Sequence, residues 1–193
     1  MRYSADHKKK TRERIVRAAA RHFREKGGKG PGIADLMRKL DLTHGGFYKH
    51  FRSKRQLLAE AIVRAFDETD AWLVEAISEA APGGELKVII ERYLSLRHCS
   101  NAAGGCPVAA LASEIAHYPR AFRLEIDRAI RKRIKRLAEF LPGATDHERE
   151  RNCLVLFSGM AGALSLARAT ADLAARKAIL KASRDFYIEA FCA

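Results

Sequence analysis

Apolar residues recur along this chain at spacings of three and four almost from end to end, the period of an amphipathic α-helix. Alternating Val/Ile/Thr-rich runs are absent, and Ala, Leu, Arg, Lys and Glu dominate. Across residues 8–26, Ile15, Val16, Ala19, Ala20 and Phe23 fall on one face, with Arg12, Arg14, Arg17, Arg21 and Arg24 over much of the rest. "GGKGPG" (27–32) breaks that helix, and a short helix is predicted over 33–39. Leu40-Asp41-Leu42 reads as a tight turn. Thr43 can then cap a helix over 44–50 by accepting a backbone N–H bond. Ser53 and Gln56 have capping-box spacing. Beyond them Leu57, Leu58, Ala61, Ile62, Ala65, Phe66, Leu73 and Ile77 sustain a stripe to about residue 80. Such a helix is roughly 40 Å long, enough to link two domains, and "APGGE" (81–85) ends it.

The remainder reads as four or five more helices, broken at "SNAAGG", "HYP" and "LPGATD". Residues 119–140 are amphipathic, with Phe122, Ile126, Ile130, Ile134 and Leu137 inward. "RKRIKR" (131–136) on that helix reads as a solvated face. Residues 148–170 are apolar nearly all round from Cys153 onward, and a helix without a polar face needs cover on every side. One side can meet its own domain and the other a second subunit, with Gly159, Gly162 and Ala163 letting a partner helix approach. The last helix, bearing Ile179, Leu180, Phe186, Tyr187 and Phe191, can complete that interface. The expected fold is therefore all-α: an amino-terminal helical domain over 1–52, a connecting helix over 53–80, and a second helical domain with a subunit interface over 81–193.

Charge sharpens this picture. Residues 1–60 hold 17 Lys+Arg against 6 Asp+Glu, a net of +11, whereas residues 61–193 hold 19 against 17, a net of +2. A basic head on a near-neutral body points to a polyanion as the head's partner, either nucleic acid or an anionic membrane. Met1 to Lys10 lacks the apolar core of a signal peptide. The longest mostly apolar run, about 14 residues from Leu154, falls short of the ~20 needed to span a bilayer. The four cysteines have no metal-ligand spacing, so neither a metal nor a cofactor is expected, and free thiols in a reducing cytoplasm are the default.

Two short helices joined by a three-residue turn and braced by a preceding helix form a helix-turn-helix, whose second helix enters the major groove amino end first. "LTHGGFYKHFRSK" (42–54) fits that role. Gly45 and Gly46 near the amino end let the backbone come close to DNA, while Phe47 and Phe51 pack inward. Tyr48 and His50 face outward to phosphates, beside Lys49. Lys54 opens the next helix, where its charge and the free N–H groups suit a phosphate. Lys8, Lys9 and Lys10 read as a mobile basic arm following the backbone or a minor groove.

The stretches "TRERIVRAAARHFREKG" and "IADLMRKLDLTHGGFYKHFRSKRQLLAEAI" resemble the tetracycline-repressor (TetR) family of bacterial transcriptional regulators. The carrying pattern is Phe-Tyr, His-Phe, Ser-Lys and Leu-Leu, over roughly residues 8–62. The resemblance implies an all-helical homodimer that binds a palindromic duplex operator and lets go when a ligand reaches its C-terminal domain. It places DNA contacts at Thr43, His44, Gly45, Tyr48, His50 and Lys54. Two departures stand out. The turn carries Asp41 where the family usually has Gly, although Asp tolerates the left-handed conformation. The second helix opens on Gly30-Pro31-Gly32 where Thr or Ser is usual, so a phosphate contact there is missing or falls to backbone N–H groups.

"SNAAGGCPVAALASEIA" is the second informative stretch. Pro107 suits a first helical position, which puts Cys106 at the N-cap. A sulfur there sees unpaired N–H groups and the positive end of the helix dipole, with glycines leaving room for access. Cys106 is thus a candidate redox or electrophile switch, with Cys99 a possible resolving thiol. The alternative is a small residue lining an ordinary ligand pocket, and segments like "GCPVAALASE" occur in a TetR subgroup with members that respond to reactive compounds. Lining candidates for an uncharged or mildly polar ligand are Tyr93, Cys106, Tyr118, Phe122, Phe157 and Met160. Cys153 and Cys192 read as inert core or interface residues. The competing classes are a nonspecific architectural DNA binder, a thiol peroxidase using Cys106, which no His or acid spacing supports, and a membrane-surface protein.

Overall fold

The computed structural model describes residues 5–28 and 32–192 of the chain, and the described residues form ten helices without a strand. They are α1 (Ala5–Lys26), α2 (Ile33–Arg38), α3 (His44–Phe47), α4 (Lys54–Ile77), α5 (Glu85–Tyr93), α6 (Leu96–Ser100), α7 (Pro107–Ile115), α8 (Arg120–Ala138), α9 (Asp146–Ala169) and α10 (Leu173–Cys192). The all-α expectation holds, and Gly30 and Pro31 lie outside the described residues.

Local sequence chemistry accounts for the boundaries. Ser53 Oγ accepts from Gln56 N at 3.1 Å, while Gln56 Oε1 accepts from Arg52 N at 2.8 Å, so the reciprocal bond lands one residue earlier than a strict capping box. Thr145 and Glu148 form a complete capping box at the start of α9. The turn between α2 and α3 has Asp41 at φ 56°, the left-handed conformation that Asp was expected to tolerate there.

The core is one continuous cluster from the amino-terminal helices into the carboxy-terminal ones. α4 supplies Leu57, Leu58, Ile62 and Phe66, and it packs on α1 at one end and on α5 and α8 further along. α9 lies between α7, α8 and α10, with Leu164 and Ala167 wholly enclosed. By length and composition α9 is the one helix among the described residues apolar enough to cross a membrane. Here its inner side is protein core, while Leu154, Val155 and Leu166 stand exposed along its outer side.

Three expectations need correction. Lys8, Lys9 and Lys10 are not a mobile arm but the first turns of α1, where Lys10 pairs with Asp6 at 2.8 Å. "RKRIKR" is not wholly a solvated face. Arg133 is only 1% exposed, ion-paired with Asp70 and bonded to Thr69 Oγ1 at 3.1 Å, with its guanidinium 5.3 Å from the Phe157 ring centre. Gly159 does not wait for a partner helix either. A Cβ there would lie 1.6 Å from the Tyr187 hydroxyl, so the missing side chain admits α10 of the same chain.

Candidate nucleic-acid interface and effector region

The segment that opens α3 builds an exposed edge on a rigid base. Phe47 and Phe51 stack 5.4 Å apart and are almost wholly buried, and the Arg12 guanidinium covers Phe51 from α1 at 4.7 Å. Arg12 also pairs with Glu60 of α4 at 2.6 Å, which fixes α1, α3 and α4 to one another. Arg14 donates to the Leu40 carbonyl at 3.3 Å and so holds the turn. Thr43 Oγ1 accepts from Gly46 N at 3.2 Å, the cap expected from sequence.

On this base Tyr48 projects outward, 62% exposed, with its ring edge-on to both His44 and Phe47. His44, Gly45 and Lys49 are exposed beside it. The two glycines have different reasons to be there. A Cβ on Gly45 meets nothing within 4 Å, whereas one on Gly46 would press on Thr43 Oγ1 at 3.2 Å. Gly46 therefore serves the cap, and Gly45 leaves the surface bare. His50 departs from expectation: it is half-buried, and its Nδ1 is enclosed without a partner. Burial, then Lys8, Arg12 and Lys49, push its pKa down, so the neutral imidazole is favoured. Lys54 opens α4 with its ammonium 5.9 Å from the Phe23 ring centre. A cleft of about 600 Å³ between α1 and α3 is bordered by Lys8, Thr11, Thr43, Gly46, Lys49 and His50, so the first turns of α1 and α3 share one surface.

The second candidate region centres on Cys106. It is the N-cap of α7 with Pro107 at the first position, as the sequence implied, but its thiol is wholly enclosed. The expected access is absent because the flanking glycines are already filled. A Cβ on Gly105 would meet Arg168 Nη2 at 2.4 Å and His98 Nε2 at 2.8 Å, and one on Gly104 would meet Asn101 at 2.7 Å. His98 Nε2 accepts from Cys106 N at 3.0 Å, while His98 Nδ1 lies 2.7 Å from the Tyr93 carbonyl. Those two partners fix the neutral tautomer protonated at Nδ1, and burial lowers the His98 pKa to about 4.

The pocket candidates divide between two places. Tyr93, Cys106, Phe157 and Met160 are buried in the core, where Phe157 and Met160 border an apolar cavity of only about 10 Å³. Tyr118 and Phe122 stack on each other at 4.5 Å, and the Tyr118 hydroxyl lies close to Gly28 at the end of α1. Cys99 is buried beside this region, and burial pushes the Cys153 thiol up to about 11.

Sequence reasoning missed three inward-turned cations, Arg24 and Arg133 buried and Arg168 half-buried. Arg24 of α1 donates to the Gly105 carbonyl at 3.0 Å and to Glu68 of α4 at 2.6 Å. Arg168 of α9 donates to the carbonyls of Cys99 and His98 at 3.1 and 3.0 Å. Arg133 is the third. A signal was present: Arg24 follows Ala20 by four, Arg168 follows Leu164 by four, and Arg133 precedes Leu137 by four, so each continues an apolar stripe.

Residues 15–61 match the family described as "Bacterial regulatory proteins, tetR family". Uncharacterized HTH-type transcriptional regulators of Mycobacterium tuberculosis are 34% identical over 105 residues, 53% of this chain and 52% of theirs. The chain thus spans about half the length of these relatives. The repressor NemR of Escherichia coli is 23% identical over 75% of this chain and 71% of its own. The crystal structure of its reduced form superposes with a TM-score of 0.76 at 18% identity, covering 94% of this chain and 97% of that one. A TetR regulator from Chloroflexus aurantiacus gives the same TM-score at 22% identity, over 95% of this chain and 96% of its own. The family match falls on α1 to α4, where the capped, phenylalanine-braced α3 lies, and the fold of these solved regulators is shared nearly end to end.

Proposed function

We propose that this chain is an effector-responsive DNA-binding regulator, a cytoplasmic repressor that grips a palindromic operator as a homodimer and is not an enzyme. The observation that carries the reading is α3 itself: a Thr43-capped helix start presenting Gly45, Tyr48 and Lys49 to solvent from a base locked by Phe47, Phe51 and Arg12. His44, Gly46, His50 and Lys54 complete the proposed contact set, with Lys8 alongside on α1. Residues 1–52 act as the reading head, 53–80 as the connector and 81–193 as the effector and dimerisation domain.

The outer faces of α9 and α10 support the dimer, with Leu154, Val155, Leu166 and Phe186 exposed. A dimer lays its two α3 helices into successive major grooves about 34 Å apart. An effector acts by favouring a dimer in which that spacing is lost, either as a small bound molecule or as an electrophile that reaches Cys106. Because Cys106 is enclosed, either route begins with an opening around α7.

Selection of purified protein on a pool of random duplexes tests the reading. A recovered palindrome, bound in preference to scrambled duplex at moderate salt, is the expected result. Affinity that tracks salt but not sequence would leave only the nonspecific architectural reading.

A further inference from the structure

We propose that the buried ground between α5, α7 and α9 binds an anionic effector, a small organic carboxylate whose oxygens take Tyr93 Oη and Arg168 Nη1 as donors. This rests on the reading of residues 81–193 as an effector domain and names the class of effector.

Arg168 is the observation that leads there. Its Nε and Nη2 are spent on the carbonyls of Cys99 and His98, and its Nη1 is enclosed with no partner. Arg24 and Arg133 each have a carboxylate, Glu68 and Asp70, but Arg168 forms no ion pair among the described residues. Arg168 is half-buried, and a guanidinium partly withdrawn from water without a counter-charge is costly, while an enclosed donor such as its Nη1 left unpaired calls for an explanation.

Tyr93 supplies the second donor independently. It is 1% exposed, and the only acceptor its hydroxyl faces is the Cys106 thiol, a weak one. The ring is fixed edge-on to His98 at 4.8 Å and to Phe157 at 6.4 Å. The phenol faces Cys106 and feels the charges of both Arg133 and Arg168, and Arg133 Nε is a third enclosed donor without a partner. A hydroxyl among cations with only a thiol as acceptor suits an oxygen that brings both negative charge and lone pairs.

A carboxylate meets these demands in one planar group, with one oxygen for Arg168 Nη1 and the other for Tyr93 Oη. Phe157, Met160 and Leu164 line the adjoining core and suit an apolar tail. The cavity beside Phe157, lined mainly from α5, α8 and α9, is too small for that tail, so binding has to part the helices around it. Gly105, at the head of α7, is the residue that Arg24 holds from α1. The near-neutral net charge of residues 61–193 hides this preference, because the unmatched cation is internal.

The test uses the full chain with benzoate and hexanoate, each beside its neutral amide, read by calorimetric titration and thermal unfolding. The acids should bind at least tenfold more tightly than the amides and raise the unfolding midpoint. Tyr93→Phe, which removes only the hydroxyl, should erase most of that preference. Arg168→Met should erase it too, and Arg168→Lys should retain part of it if the methionine variant does not fold. Equal binding of acid and amide, no binding of either, or a preference untouched by Tyr93→Phe would overturn the proposal. Operator binding without any carboxylate effect would overturn this proposal alone, whereas loss of sequence-specific DNA binding in the unliganded protein would overturn the repressor reading beneath it.

Discussion

Arg24 Nη1 donates to the Gly105 carbonyl at 3.0 Å, so the residue ahead of Cys106 hangs from the first helix of the chain. The same guanidinium bonds the Ala20 carbonyl at 2.9 Å and Glu68 of α4 at 2.6 Å. At the other end of α7, Glu114 accepts from Gly28 N at 2.7 Å. Both ends of α7 are therefore tied to the carboxyl end of α1. A shift of α7 reaches the helices that position α3 through these polar links as well as through the core.

Arg24→Met should cost about 3 kcal/mol in urea unfolding, the low end for breaking a buried pair, because Glu68 keeps Arg64 at 3.2 Å. The exposed Arg21 one turn earlier is the control, and Arg21→Ala should stay within about 0.5 kcal/mol. Equal effects of the two would mean that the Gly105 link holds nothing.

Gly45 and Gly46 should separate stability from binding. Gly45→Ala meets no atom and gains helix propensity, so unfolding should become harder by up to about 1 kcal/mol while operator affinity falls. Gly46→Ala presses on the Thr43 cap, and a lost cap costs about 1 kcal/mol. Operator affinity unchanged in Gly45→Ala would mean that the bare backbone does not approach DNA.

The arginines mark where sequence legibility stopped. Helix period, caps and turn chemistry placed α1 to α4 within a few residues, because each boundary is set by local groups such as Thr43, Asp41 and Ser53. Whether an arginine on an apolar stripe is buried depends on a carboxylate or carbonyl far away in sequence. Arg133 finds Asp70 across 63 residues and Arg168 finds His98 across 70. Local pattern carries no record of those partners, and so "RKRIKR" read as a solvated face. The same distance effect hid the filling of Gly105, which left Cys106 looking accessible. Arg133→Met should accordingly destabilise by about 3 kcal/mol, while Arg131→Ala, at an exposed position, stays near zero.

His98 predicts an acid limb. Its pKa falls from 6.5 in the unfolded chain to about 4 in the fold, because burial disfavours the imidazolium. The unfolded state therefore takes up the proton first. Stability present above pH 6.5 is lost as the pH drops from there towards 4, by up to roughly 3 kcal/mol. Urea midpoints between pH 7 and pH 4.5 should fall more steeply in the wild type than in His98→Gln, which has no such proton to take up. Parallel slopes would mean that the His98 ring is not held neutral between Tyr93 and Cys106.

The outer side of α9 gives the last prediction. Leu154 and Leu166 are more than half exposed on a helix whose inner side is already core, and Phe186 on α10 is 64% exposed. A Cβ on Gly162, exposed on the same helix, meets nothing within 4 Å in this chain, so that position is open to a second copy. Leu154→Glu with Leu166→Glu adds charge without touching the enclosed residues Leu164 and Ala167. The double variant should sediment as a folded monomer with an unchanged helical spectrum, whereas the wild type sediments as a dimer. Its affinity for a palindrome should drop to that for a single half-site, because one α3 reads only one half. A wild type that is monomeric at micromolar concentration, or a double variant that stays dimeric, would move the partner interface off α9.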